Sequence, residues 1–180
     1  MVKILKRFYY CFLTLSNKCL SGGEYLIQKS GLLIGGLLLF LVLLIGYDVV
    51  MRYIFHSGSV GAQELEWHLF SGIFLLGGAY TLQENNHVRV DVIYRSKLSN
   101  DKTKDIVDIF GTLFFLLPFC SVIIWMSTPF AYDAFIHGEI SPDPGGLKYR
   151  WVVKSLIPLG FALLALQGLI TLSRKLTRLY

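Results

Sequence analysis

The residues with the greatest chemical potential in this chain lie in short stretches bordering apolar runs. Glu64, Glu66 and His68 stand two apart and raise the prospect of a metal cluster. Side chains at i and i+2 leave a helix on different sides, however, so a shared ion is not expected. Asp48 and Arg52 are four apart, the spacing that lets an ion pair form along one helical face. The four histidines, His56, His68, His87 and His137, bring haem to mind. Ligation by two histidines needs facing imidazoles at one depth in a helix bundle, and only His68 lies within an apolar run. Cys11, Cys19 and Cys120 have neither CxxC nor zinc-ligand spacing and read as small apolar fillers. No catalytic residue, metal ligand or cofactor of its own is therefore assigned to the chain.

The elements that carry these residues are membrane elements. Of the 180 residues, 54% are hydrophobic, and the charges are confined to a few stretches between long uncharged runs. Those runs cover 30–47, 67–82, 109–132 and 155–173. With their flanks they give spans at about 30–52, 62–83, 105–128 and 151–173, each suited to the ~20 residues that cross a bilayer. The second run is the shortest, which leaves Glu64 and Glu66 near the headgroups. Before the first span, Ile4, Leu5, Phe8, Phe12 and Leu15 share one helical face while Lys3, Lys6 and Arg7 point elsewhere. No small-residue cleavage site follows this stretch, so it is not read as a signal peptide. The expected fold class is an all-α integral membrane protein with four transmembrane helices plus an N-terminal amphipathic interfacial helix. Residues 1–180 form one membrane domain, in which 1–29 is an interfacial arm ending near Gly22 and Gly23.

Orientation follows from the basic residues. Five precede the first span, five follow the second (Arg89, Arg95, Lys97, Lys102 and Lys104) and three follow the fourth (Arg174, Lys175 and Arg178). The other side carries only Arg52, Lys148, Arg150 and Lys154. That asymmetry places both termini and the middle loop in the cytoplasm. Tyr47, Tyr53, Trp67, Trp125, Tyr132, Tyr149 and Trp151 gather toward the outer boundary as an aromatic belt. The net charge of +5 is explained by this membrane orientation, so nucleic acid is not expected as a partner. The outer loop, from about 129 to 150, contains Ser141-Pro142-Asp143-Pro144-Gly145-Gly146, which forbids a helix and fixes a turn. Pro118 and Pro158 are candidates to kink the last two spans. Gly31 with Gly35 and Gly36, and Gly72 with Gly77 and Gly78, give flat patches for close helix packing, within the chain or against another membrane protein.

A pump or carrier usually holds ionisable residues at mid-membrane, and the middles of these spans have none. Three stretches then carry a family resemblance. Gln63-Glu64-Leu65-Glu66-Trp67-His68, Gly77-Gly78-Ala79-Tyr80 and His87-Val88-Arg89-Val90-Asp91 resemble the small membrane subunit of tripartite ATP-independent periplasmic (TRAP) transporters. The run from Asp48 to Tyr53, the turn from Ser141 to Leu147, and the stretch holding Trp151, Lys154, Pro158 and Gln167-Gly168 are also similar. The resemblance covers about residues 30–172, and the closest branch is the mannitol and chloroaromatic type.

This resemblance implies a three-part importer in a bacterial inner membrane. A periplasmic substrate-binding protein delivers an organic acid, a large membrane subunit carries it inward on a sodium gradient, and the small subunit braces the large one. Sodium coupling belongs to the large subunit, and membrane lipid surrounds both. Arg52, Glu64 and Glu66 are then expected to shape the outer interface, and His87, Arg89 and Asp91 the inner one. Asp48 and Lys154 join them as interface or structural positions. Against these roles stand plainer ones: Asp48 and Arg52 as a structural pair, Arg89 as a topology anchor, Asp91 as a helix cap. Two other functions compete. A self-sufficient small four-helix transporter acting as a homo-oligomer needs a membrane-embedded acid, and a membrane redox enzyme needs haem or quinone.

Overall fold

The computed structural model describes the backbone of residues 2–84 and 101–179 and the side chains of 22–84 and 102–177. Within that range the chain is helical throughout, with no strand. His87, Arg89 and Asp91 lie outside it, as do the side chains of the expected amphipathic face at 4–15.

Helix α1 is Val2–Tyr53, 52 residues long. At about 1.5 Å per residue it is more than twice as long as the ~30 Å hydrocarbon core is thick. It passes through Gly22 and Gly23, where an end was expected. A helical glycine costs only about 1 kcal/mol relative to alanine, which weakens a helix without ending it. Gly23 also has a packing use, since a Cβ there would stand 3.3 Å from Leu166 Cδ2.

Helix α2, Val60–Gln83, starts on a cap. Ser59 is extended, with φ −116° and ψ 120°, and its hydroxyl accepts from the Ala62 N–H at 3.3 Å. The next rod has three parts: α3 (Asp101–Gly111), a π-helical turn (Thr112–Leu116) and α4 (Leu117–Ile136). Pro118 explains the wider turn, because its ring crowds the carbonyl of Phe114 and it offers no N–H. One wider turn absorbs both problems, with the Leu117 N–H reaching back to the Thr112 carbonyl. The expected kink is thus a π turn. Pro129 does not end α4 either, and the helix continues to Ile136 where a loop was expected from about 129. Helix α5 is Trp151–Leu179, with Pro158 in its second turn.

Helices α2 and α5 occupy the middle of the arrangement. Helix α2 packs on α1 and α5, while α5 packs on α2 and α4, giving the order α1, α2, α5, α4. The connections make α1 antiparallel to α2, α4 antiparallel to α5, and α2 parallel to α5. A small core of Ile27, Ala79 and Ile170, joined by Tyr80, Leu163 and Leu166, sits where α1, α2 and α5 meet. Most of the remaining apolar surface is uncovered, including Leu32, Phe74 and Trp125. Three stretches, Gly22–Tyr53, Lys102–Ile136 and Trp151–Thr177, are long and apolar enough to cross a membrane. Uncovered apolar flanks on such stretches are what a bilayer solvates, so the chain is a multi-pass membrane protein. Helix α2 is long enough at 24 residues but is not among these stretches, because polar residues occupy both its ends.

Candidate functional site

The polar residues concentrate at the two ends of the helix layer. At the end that carries the connections 54–59 and 137–150, here the loop end, Asp48 is only 4% exposed and pairs with Arg52 one turn later. With its oxygen turned toward α1, the Gln63 amide accepts from Arg52 Nη1 at 3.1 Å, which ties α1 to α2. The expected i, i+4 pair is therefore part of a short interhelical link.

Glu64, the next residue on α2, faces the opposite neighbour. Its carboxylate accepts from the Ser141 hydroxyl and, at 2.6 Å, from the Leu147 N–H. The turn it holds is closed on itself. Ser141 N–H donates to the Leu147 carbonyl at 3.1 Å, Gly146 N–H to the Asp143 carbonyl at 3.0 Å, and Asp143 N–H to the Ser141 hydroxyl at 3.2 Å. Gly145 has φ +83°, the left-handed region that favours glycine. A Cβ on Gly146 would stand 2.8 Å from Glu64 Oε2, so that position has no room for a side chain. The SPDPGG run thus folds as a compact turn whose anchor, Glu64, lies 77 residues before Ser141.

Lys154 joins the same end by pairing with Glu139 and standing 3.9 Å from the Phe130 ring centroid. Arg150 N–H donates to the Glu139 carbonyl at 3.2 Å, and the Phe135 and Trp151 rings meet edge-on at 5.2 Å. Glu64, Glu66 and His68, two apart in sequence, do not converge. His68 Nδ1 lies 2.6 Å from the Glu64 backbone carbonyl, while Glu66 Oε1 and His68 Nε2 are buried without a partner. Among the described residues, no three His, Cys, Asp or Glu side chains are placed to hold a metal ion.

The opposite end, here the basic end, is held by charge. Lys175 on α5 pairs with Asp108 and stands 3.7 Å from Asp105, both on α3. Its neighbour Arg174 pairs with Glu24 on α1, and Gln83 Nε2 donates to the Glu24 carbonyl at 3.4 Å. The sequence reading missed these positions because it treated Arg174 and Lys175 only as markers of topology. A signal was available: Asp105 and Asp108 are three apart, on one helical face at the start of a span.

The glycines divide into two groups. Gly160 meets α2 so closely that a Cβ would stand 2.7 Å from the Leu75 carbonyl oxygen, Gly72 faces Leu156, and Gly31 faces the Tyr80 ring. Gly35, Gly36, Gly77 and Gly78 have open space instead. A hollow of about 540 Å³ lies over the Gly77-Gly78 pair, flanked by Ile34, Phe74, Gly160 and Phe161. Some of the expected flat patches therefore serve packing inside the chain, and others are left uncovered.

The family model described as "Tripartite ATP-independent periplasmic transporters, DctQ component" matches residues 41–178. No curated protein matches the chain.

Proposed function

We propose a bracing role for this chain, which belongs to the DctQ component family of tripartite ATP-independent periplasmic transporters. In this reading it is the small membrane subunit that supports a large membrane subunit in a bacterial inner membrane. A periplasmic binding protein delivers an organic acid, and the large subunit carries it with sodium. The small subunit has no enzymatic step and no cofactor of its own. Its branch is the mannitol and chloroaromatic type.

The observation that carries the bracing role is the family match over 41–178, read together with where the charges go. Arg52, Glu64, Lys154, Arg174 and Lys175 are each engaged by groups of this same chain at the ends of its helices. Charges used in this way hold helices to one another at the two ends of the layer. Four spans follow if α2 crosses alongside its neighbours. Its 24 residues reach about 36 Å at ~1.5 Å per residue, and α1 and α5 cover it on two sides. The basic end, with Lys102, Lys104, Arg174 and Lys175, then faces the cytoplasm together with both termini. The loop end faces the periplasm, where Arg52, Glu64 and Glu66 border the surface a binding protein approaches. His87, Arg89 and Asp91 border the cytoplasmic side.

The test is to tag the C-terminus, purify the full chain in mild detergent from its own host, and identify what accompanies it. A much larger polytopic membrane protein in near-equal amount is the expected result. A chain that emerges alone or as a homo-oligomer, and moves solute into liposomes unaided, overturns the bracing role.

A further inference from the structure

Hollows along the seam between α2 and α5 join into one groove. The hollow of about 540 Å³ over Gly77 and Gly78 shares Phe74 and Leu75 with a second one of about 280 Å³, which reaches Ser71 and Lys154. On α5 the wall residues Lys154, Ile157, Phe161 and Leu164 recur every three or four positions, so they share one face of the helix. Phe70, Phe74, Gly78 and Thr81 do the same on α2. Phe161 is backed by Phe119 of α4, whose ring meets it edge-on at 5.7 Å. The two hydroxyls in the lining are satisfied by their own helix, Ser71 by the Trp67 carbonyl at 2.8 Å and Thr81 by the Gly78 carbonyl at 3.0 Å. The groove below Lys154 is therefore suited to an apolar occupant.

Its depth says which occupant. Toward the basic end the groove stops at Tyr80, which lies against Gly31 of α1 and packs on the core where α1, α2 and α5 meet. Toward the loop end it reaches Lys154. Ten residues of α5 separate Lys154 from Leu164, about 15 Å at ~1.5 Å per residue and half of the ~30 Å hydrocarbon core. Leu164 is also the midpoint of the apolar stretch Trp151–Thr177. The groove thus runs from headgroup level to mid-membrane, the depth of one leaflet. A transmembrane helix of another protein crosses both leaflets, whereas an acyl chain fills only one.

At the mouth the chemistry turns polar. Lys154 also borders a hollow of about 620 Å³ at the end of α4, where Asp133, His137 and Glu139 stand. Its ammonium has three donors and gives one to Glu139. Two acids against one lysine leave this hollow short of positive charge. We propose that the groove binds one phospholipid with an ethanolamine headgroup, from the leaflet at the loop end. One acyl chain lies along Phe70, Phe74 and the Gly77-Gly78 floor, the phosphate accepts from Lys154, and the ammonium donates to Asp133 and Glu139. A choline headgroup has no N–H to donate, and a glycerol headgroup brings no positive charge.

The experiment is native mass spectrometry of the full chain in mild detergent, with equal amounts of phosphatidylethanolamine, phosphatidylcholine and phosphatidylglycerol carrying identical acyl chains. One bound phosphatidylethanolamine is expected, retained about tenfold over either competitor. Gly78→Leu fills the floor of the groove and is expected to lower retention of all three lipids about tenfold without changing their order. Asp133→Asn, at an exposed position, is expected to shrink the preference for ethanolamine to about threefold. Equal retention of the three lipids by the parent chain overturns the proposal, as does a preference for phosphatidylglycerol. Retention that Gly78→Leu leaves unchanged, or a preference that Asp133→Asn leaves undiminished, overturns it too. So does a structure of the chain with its co-purified membrane partner in which a protein helix fills the groove. The headgroup order of the parent needs no variant, so it decides the matter even if neither variant folds.

Discussion

The loop end and the basic end hold the same helices by different means. At the loop end a carboxylate with fixed geometry binds a hydroxyl and a backbone N–H, and a glycine leaves no slack beside it. At the basic end two long cationic side chains reach acids on α1 and α3, and Arg174 stays 61% exposed while doing so. Directed hydrogen bonds specify one arrangement, whereas a hydrated pair such as Arg174 with Glu24 tolerates several. The chain is therefore expected to be stiff and mutation-sensitive at the loop end and forgiving at the basic end.

The most severe test of that contrast is Glu64→Ala. It leaves the Leu147 N–H and the Ser141 hydroxyl without their acceptor, and hydrogen bonds to a charged group are the stronger kind. A lower Tm is expected in thermal unfolding in detergent, together with faster proteolysis in 141–147. Unchanged proteolysis would mean that the turn holds itself and that the two ends do not differ as described. Next in size is Gly160→Ala, which sets a methyl group against the Leu75 carbonyl oxygen. Overpacking of this kind costs about 1–3 kcal/mol, while the same change at Gly77, where space is open, is expected to leave Tm unaltered. Equal effects at the two glycines would erase the distinction between packed and open patches.

How far these features were legible in the sequence depends on how far apart the partners lie. The apolar runs marked the helices, and the Asp48–Arg52 pair was readable because its members are one turn apart on one helix. Glu64 was singled out, but its partners are 77 and 83 residues away, and no local spacing announces them. The link from Lys175 to Asp108 spans 67 residues and was hidden for the same reason. Helix ends were misjudged where Gly22, Gly23 and Pro129 were read as in water. Where apolar neighbours replace water, little competes for the helix's backbone hydrogen bonds, so the helix continues past them. The π turn before Pro118 is a related case, in which a wider turn absorbs the proline without a break.

At the basic end, Lys175→Met tests the better-shielded pair. The lysine side chain is 13% exposed and its two acids about 20%, so the change removes the Lys175 ammonium from beside two neighbouring carboxylates. A loss of about 1 kcal/mol is expected, between the values for exposed and buried pairs. Restoring much of it with the further change Asp108→Asn would identify repulsion at the Asp108 carboxylate as its source.

Arg174→Ala should have the smallest effect among the charge variants. The arginine is mostly exposed, so solvent screens its pair with Glu24, and a loss below about 0.5 kcal/mol is expected at low salt. Half-molar salt shortens the screening length to a few ångströms and should erase even that difference. Glu64→Ala should behave in the opposite way, because hydrogen bonds to a backbone N–H and a hydroxyl depend little on ionic screening. Measuring both variants at low and high salt therefore compares the two ends in one experiment. If Arg174→Ala proved the more damaging and kept its effect in salt, the basic end would be the rigid one. The chain would then be held chiefly by the contact of α5 with α1, not by the turn clasped to α2.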